Sequence, residues 1–442
     1  MVAAERGHDV LVGDHRALLS HREWVQPGVF HDKSLTPSRQ KLAAHARLVD
    51  AGFAVTSQDE EHWLLLPSYD EMRDKRFSAE SLRQASFAFA WGPHDASSLR
   101  AGFPDLADRV RETGSPRVDL WRPDLADVYE GAALDGIDPT RPFVLVLGAL
   151  GTPGPVDQNP FPSAMGARRA TYFDGLDDPF EFEQYERAAL AFRYVGRAVR
   201  AVRQLAVRMP DVQIVLRSHP VEDEDGWRQL LGPVPGVTVT RRGGLGRWLR
   251  SATAVVHNGS TAGFEAGVAG VPAISFQPHG ERVDWTSNLL GRIAHDEDEL
   301  VALVEAARSP TERARWYASD VDVLARRFAA LDGPLAADRT VDAFEELATP
   351  ARSRRNRVRA SVLAAGTHRR IGAARSRLRA LRAGGHGPTD GAGFDGMLKF
   401  PPIDPKEVAG LAASYRRGLG RFADVEVRTI GRRLVQVTPR RR

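Results

Sequence analysis

Ala254-Val255-Val256-His257-Asn258-Gly259-Ser260-Thr261-Ala262-Gly263-Phe264-Glu265-Ala266-Gly267 is the stretch in which the chain declares its architecture. Its first residues suit a buried strand, Asn258-Gly259 a turn, and Ser260 and Thr261 cap a helix expected over residues 261–269. A second apolar strand follows at residues 272–276. Strand, helix and strand joined by short turns form a parallel βαβ unit. The alternation continues outward, with strands at 143–148, 212–217 and 237–240 and helices at 185–209 and 245–251. Nearer the amino terminus come a helix at 39–51, ended by Gly52, and strands at 53–56, 86–91 and 117–120. Asp138-Pro139-Thr140-Arg141-Pro142 is the linker candidate, because a strong new strand follows it. The expectation is an α/β protein with an amino-terminal domain at 1–138, a second domain at 139–345 and a basic segment at 346–442. Gly7-His8-Asp9-Val10-Leu11-Val12-Gly13-Asp14 reads as a helix end, a turn and a short strand, the middle of a βαβ unit. On that reading the first strand of the sheet and most of its first helix are missing.

The 442 residues are 42% hydrophobic and 27% charged, with mean hydropathy −0.33. That is the make-up of a globular protein, not of a disordered, collagenous or membrane-spanning one. No apolar run approaches the roughly 18–20 residues of a spanning helix, and Glu5, Arg6 and Asp9 stand where a signal peptide would be apolar. The expected location is therefore the cytoplasm. The absence of cysteine excludes disulfides, thiolate metal sites and cysteine nucleophiles. A net charge of +4 hides an asymmetry, since residues 351–442 hold 22 Lys/Arg against 6 Asp/Glu. Such a segment is either a solvated appendage or an attachment to anionic lipid head groups on the inner face of the membrane, where each Lys or Arg contributes about 1 kcal/mol. Nucleic acid ranks lower, because the segment shows no interleaved aromatic stacking pattern and no recognition module.

Ligands of open α/β sheets gather at the carboxyl ends of the strands. Asp59-Glu60-Glu61 follows one strand, and three adjacent carboxylates can leave one with a raised pKa, suited to general-base work. A solvated acidic loop or a helix start would look the same. Arg217-Ser218-His219-Pro220 follows another, where an imidazole can donate to a phosphate and the acidic flank from Glu222 to Asp225 can hold it protonated. His257 to Thr261 leads into a helix whose unpaired N–H groups suit a phosphate, with Glu265 placed for ribose hydroxyls. A plain helix cap accounts for Ser260 alone. Lys33, in the loop 26–34, and Arg117, after Thr113-Gly114-Ser115-Pro116, can hold an anionic group. Trp91-Gly92-Pro93-His94 is a further strand end. No metal-ligand spacing, Walker loop or G-x-S-x-G elbow occurs, so neither a metal nor a cofactor is expected.

Taken in order, Phe53 with Asp59-Glu60-Glu61, Phe89-Ala90-Trp91-Gly92, the 113–119 segment, Arg217-Ser218-His219-Pro220 and the 257–266 segment resemble the bacterial surface carbohydrate biosynthesis protein family. The resemblance runs from about residue 7 to 345 and takes in Met397-Leu398-Lys399-Phe400-Pro401-Pro402. It implies a GT-B architecture, two Rossmann-like doubly wound domains facing a cleft, and a metal-independent glycosyltransferase. The same segments are distantly similar to bacterial polysialyltransferases and capsule Kdo transferases, which use CMP-activated sugars. That likeness implies Glu60 as base beside Asp59 and Glu61, His219 and Pro220 on the donor phosphate, and Ser260 and Thr261 cradling it. Arg217, His257 and Glu265 fall with the donor, and Lys33, Trp91 and Arg117 with a carbohydrate or glycolipid acceptor. The sequence departs from the pattern at His62, Ser218 and Ser115, where glycine, proline and asparagine are usual. Two other functions fit the same residues: a UDP-sugar epimerase of this fold, and a non-catalytic scaffold held at the membrane by the basic segment.

Overall fold

In chain order the strands are β1 (Val10–Gly13), β2 (Val29–Asp32), β3 (Ala54–Gln58), β4 (Phe87–Ala90), β5 (Val110–Glu112), β6 (Phe143–Leu147), β7 (Gln213–Arg217), β8 (Val237–Val239), β9 (Ala254–His257), β10 (Ala273–Phe276), β11 (Arg292–Ala294), β12 (Val425–Gly431) and β13 (Leu434–Pro439). They belong to a computed structural model, which describes residues 1–22, 25–60, 69–129, 134–148, 179–219, 222–280, 285–347 and 402–440. The loop at 151–178 and residues 348–401 of the basic segment thus lie outside the described residues. The chain divides into two compact units. One holds the described residues within Met1–His62, Asp70–Asp119 and Phe328–Arg442, the other those within Trp63–Tyr69 and Leu120–Arg327.

The second unit is built on a six-stranded parallel sheet in the order β11-β10-β9-β6-β7-β8. Numbered from β6, that is the 3-2-1-4-5-6 order of a doubly wound Rossmann sheet, reversing direction between β6 and β9. Its strands are apolar on both faces, as a sheet covered on both sides requires. Val144, Val146, Ile214, Leu216, Val256 and Ile274 point to one side and share a core with Val195, Ala198, Val202 and Leu205 of the helix Pro179–Arg208. These helix positions recur at the three- and four-residue spacing of one helical face. Phe143, Leu145, Val215 and Val255 point to the other side, against Trp248 and Leu249 of the helix Leu245–Ser251 and Ala266 of the helix Ala262–Val268.

The first unit has a four-stranded parallel sheet in the order β2-β3-β4-β5, with no reversal among the described strands. The α/β class and the parallel sheets in both units agree with the sequence reading. Three details differ. The segment expected as a strand at 117–120 is a helical turn, Pro116–Asp119, closed by the Val118 and Asp119 N–H groups on the Ser115 carbonyl. β1 is a strand but not part of a βαβ unit. It pairs antiparallel with β13, which pairs with β12, in a separate three-stranded sheet. The carboxyl-terminal segment is therefore no separate appendage where it is described. Phe422, Val425, Val435 and Val437 share a core with Val2, Ala4 and Val341, which draws both chain ends and the helix Ala336–Leu347 into the first unit. Arg421 reinforces this, bridging Glu5 at 2.6 Å and Asp338 at 2.9 Å. The described residues within 120–138 group with the second unit, and those from Phe328 onward with the first.

Candidate functional site

In the second unit β6 lies between β9 and β7, so the turns after β9 and β7 are about 10 Å apart. They flank the point where the strand order reverses, the place at which doubly wound sheets bind ligands. Gly148 ends β6, its N–H on the Arg217 carbonyl at 2.8 Å. A Cβ there would strike the Glu222 carboxylate, so the chain can approach this closely only as glycine.

No family model and no curated protein matches the chain. Solved structures do. The chain is similar to a UDP-N-acetylglucosamine 2-epimerase from Listeria monocytogenes, at 14% identity over 76% of this chain and 80% of that one, with a TM-score of 0.46. It is similar to the wall teichoic acid polymerase TagF, at 12% identity over 66% and 67% of the two chains, with a TM-score of 0.41. A third likeness is to Anabaena HepE in complex with UDP and glucose, at 14% identity over 75% and 81%, with a TM-score of 0.37.

After β7, both terminal nitrogens of Arg217 donate to backbone carbonyls, of Arg242 at 2.8 Å and Gly243 at 2.5 Å, so this side chain holds the loop that follows β8. The Ser218 hydroxyl is buried with no partner among the described residues. His219 is half-buried, and its backbone N–H donates to the Glu222 carboxylate at 2.9 Å while its carbonyl accepts from the Glu222 N–H. Glu222 also accepts the Trp227 indole N–H at 2.9 Å. Glu222 locks the His219 turn, Asp223 caps the helix Glu224–Leu231, and Glu224 and Asp225 pair with Arg228. Pro220 lies outside the described residues.

After β9, His257 is wholly buried and its Nδ1 accepts the Ser260 N–H at 3.2 Å, which assigns the ring proton to Nε2. Burial pushes its pKa down to about 4, so the ring is neutral at pH 7. A Cβ on Gly263 would come within 2.7 Å of Nε2, so only glycine lets the helix seat on this ring. His257 thus braces the turn from beneath and does not reach a donor. Ser260 and Thr261 are half-buried at its surface. The helix N–H groups expected to point outward are partly used: Ala262 donates to Ser260 Oγ at 3.3 Å, Gly263 to the Ser260 carbonyl and Phe264 to the Thr261 carbonyl. Glu265 is buried in the first helical turn, not displayed for a ribose. Asn258, unremarked in the sequence reading beyond its place in the turn, donates to the Phe276 carbonyl at 3.1 Å and ties the ends of β9 and β10.

In the first unit, Asp59 is buried and clamped by the Arg76 guanidinium at 2.8 and 2.9 Å, a structural ion pair and not a base. Its carbonyl accepts the Trp91 indole N–H at 2.9 Å. Trp91 is 1% exposed and stacks obliquely on Phe328, so it belongs to the core and not to an acceptor surface. Glu60 is half-buried, its N–H on the Lys33 carbonyl at 3.1 Å and its own carbonyl accepting from Arg117 at 3.3 Å. Glu60, Lys33 and Arg117 are thus brought together through the Glu60 backbone, whereas Glu61 lies outside the described residues. The 113–119 motif is architectural: Asp119 accepts the Ala336 and Ala337 N–H groups at 2.8 and 2.9 Å and so caps the helix Ala336–Leu347. Sequence reasoning missed the surroundings of Asp32, because it read residues 26–34 as a loop where the structure has β2.

Proposed function

We propose that the chain is a glycosyltransferase that moves a sugar from a nucleotide-activated donor to a carbohydrate or glycolipid acceptor. The observation that carries this is the reversal of strand order between β6 and β9, flanked by Ser218-His219 on one side and Ser260-Thr261 on the other. Two hydroxyl-bearing turns and an imidazole at such a point suit a phosphate, and the buried, unpartnered Ser218 hydroxyl is a polar group in want of one. In this reading His219, Ser260 and Thr261 hold the donor phosphate and stabilise its charge as it departs. In the same reading Lys33 and Arg117, of the first unit, bind an anionic acceptor. The resemblance gives Glu60 the role of base and favours CMP as the donor nucleotide. An attachment of the basic segment to an anionic membrane surface belongs to the same proposal. Among the described residues no helix is long and apolar enough to cross a membrane.

Thermal-shift titration with CMP, UDP, GDP and CDP nucleotides, followed by transfer assays with the matching sugars, tests the reading. One nucleotide should stabilise the fold, by about 2.7 kcal/mol at a hundredfold excess over Kd. His219→Ala should cut turnover with little change in melting. No stabilisation by any of the four contradicts the proposal, and isomerisation of a UDP-sugar without acceptor would replace it with an epimerase.

A further inference from the structure

Past the end of β7 the sheet has no ladder left to pair the chain, and the Glu222 side chain supplies the acceptor that the next backbone N–H needs. Glu222 is 3% exposed, and its Oε2 takes two N–H donors at 2.9 Å, the His219 backbone and the Trp227 indole. Its own N–H closes a turn on the His219 carbonyl at 2.9 Å, so both backbone polar groups of His219 are bonded to one residue. Its carbonyl accepts from the Arg241 guanidinium at 3.3 Å, in the loop after β8. A Cβ on Gly148 would strike the same Oε2 and lie 3.0 Å from the His219 nitrogen. Carboxylate and turn therefore sit on the end of β6, beside the reversal of strand order. Glu222 thus ties together the ends of β6, β7 and β8 and the helix Glu224–Leu231. Taking a carboxylate out of water is costly unless N–H donors replace the water. An apolar side chain would avoid that cost; what the carboxylate adds is a fixed direction for the bond from the His219 backbone to its ring.

We propose that Glu222 is the positioning residue of the donor site, fixing the backbone from which the His219 imidazole is presented to the departing phosphate. The proposal rests on the glycosyltransferase reading and deepens it, since it names the group that makes His219 effective. Glu222 acts through His219 and not on the substrate. A side chain at 222 without an acceptor leaves two buried N–H groups unpaired, of His219 and Trp227, and lets the turn relax away from the end of β6. A displacement of about 1 Å is enough to cost up to 100-fold in rate, because the imidazole then no longer meets the charge where it develops.

Substitutions at 222 in the full chain test this, with melting curves recorded alongside. Glu222→Ala removes the acceptor, Glu222→Asp keeps the charge but draws it back by one methylene, and Glu222→Gln keeps an oxygen in place for both N–H donors. Hydrogen exchange resolved to single residues by mass spectrometry should show the His219 N–H protected in wild type and in Glu222→Gln. In Glu222→Ala and Glu222→Asp it should exchange about tenfold faster or more. In transfer assays Glu222→Ala and Glu222→Asp should lose about 10- to 100-fold in kcat with a much smaller change in donor KM, while Glu222→Gln keeps most of the wild-type rate. The loss should disappear in a His219→Ala background, where no imidazole is left to aim. Glu222→Asp carries each of these readouts if Glu222→Ala does not fold. A His219 N–H that exchanges freely in wild-type protein, or equally fast in every variant, overturns the lock on the turn. Wild-type kcat in a folded Glu222→Ala or Glu222→Asp overturns the positioning role, as does a Glu222→Gln no better than Glu222→Ala, or a loss that is the same with and without the His219 imidazole. If wild-type protein transfers no sugar from any nucleotide donor, the glycosyltransferase reading fails instead, and hydrogen exchange decides the Glu222–His219 lock by itself.

Discussion

Burial decides the charge of His257, and that has a measurable signature. Its folded pKa of about 4 lies below the ordinary histidine value near 6.5, so the folded chain binds fewer protons than the unfolded one. The stabilising contribution is complete above pH 6.5 and is lost as the pH falls toward 4, on the order of 3 kcal/mol in all. Urea unfolding midpoints of the second unit, measured from pH 7 to 4.5, should decline in wild type and run flatter in His257→Gln, though from a lower start. Parallel declines would show that His257 is not buried neutral. At this scale the sequence located strand ends but not the direction in which their side chains face. Asp59, Trp91, His257 and Glu265 were placed correctly after or beside strands and then turned inward, because their partners come from elsewhere in the chain. Arg76, seventeen residues past Asp59, carries no local mark that it will clamp that carboxylate. The same blindness hid Asp32, whose partners are the ordinary-looking helix residues Lys41 and His45.

Elements with a strong period were legible nearly to the residue. β9 and the helix Leu245–Ser251 fall where the apolar pattern put them, since both lie inside one unit and bury a face that local sequence already marks. β1 misled because a four-residue strand looks the same whether its neighbour is parallel or antiparallel. Its partner β13 is more than 420 residues away in the chain. Likewise the Arg-rich composition of the carboxyl-terminal segment masked an apolar alternation in Val425–Gly431 and Leu434–Pro439. The helix Pro405–Leu419 and these strands bury Phe422, Val425, Leu434, Val435 and Val437. At about 1.5–3 kcal/mol per buried side chain, their loss approaches the whole stability of an ordinary domain. Calorimetry of a variant lacking residues 402–442 should show the first unit's transition lost or lowered by more than about 10 °C, with the second unit's retained. An unchanged melting profile would contradict the packing described for β1, β12 and β13.

For the whole molecule, one unit explains itself by topology and the other by its partners. The second unit's strand order contains a reversal of the kind at which doubly wound sheets bind ligands, whereas the first unit gains its three-stranded sheet by recruiting both chain ends. Several basic residues of the final segment hold that arrangement together, Arg421 through Glu5 and Asp338 and Arg416 through the carbonyls of Phe422 and Val425. Net charge read from composition counts these residues as free surface. On the proposed function a nucleotide-sugar binds at the β6–β9 reversal. Photo-crosslinking the full chain with an azido derivative of the nucleotide that gives the largest thermal shift, then mapping the labelled peptides by mass spectrometry, tests it most directly. Label should concentrate on peptides holding residues 213–219 and 257–265 and vanish when unmodified nucleotide competes. Competable label confined to peptides of the first unit, with none at those turns, would contradict it.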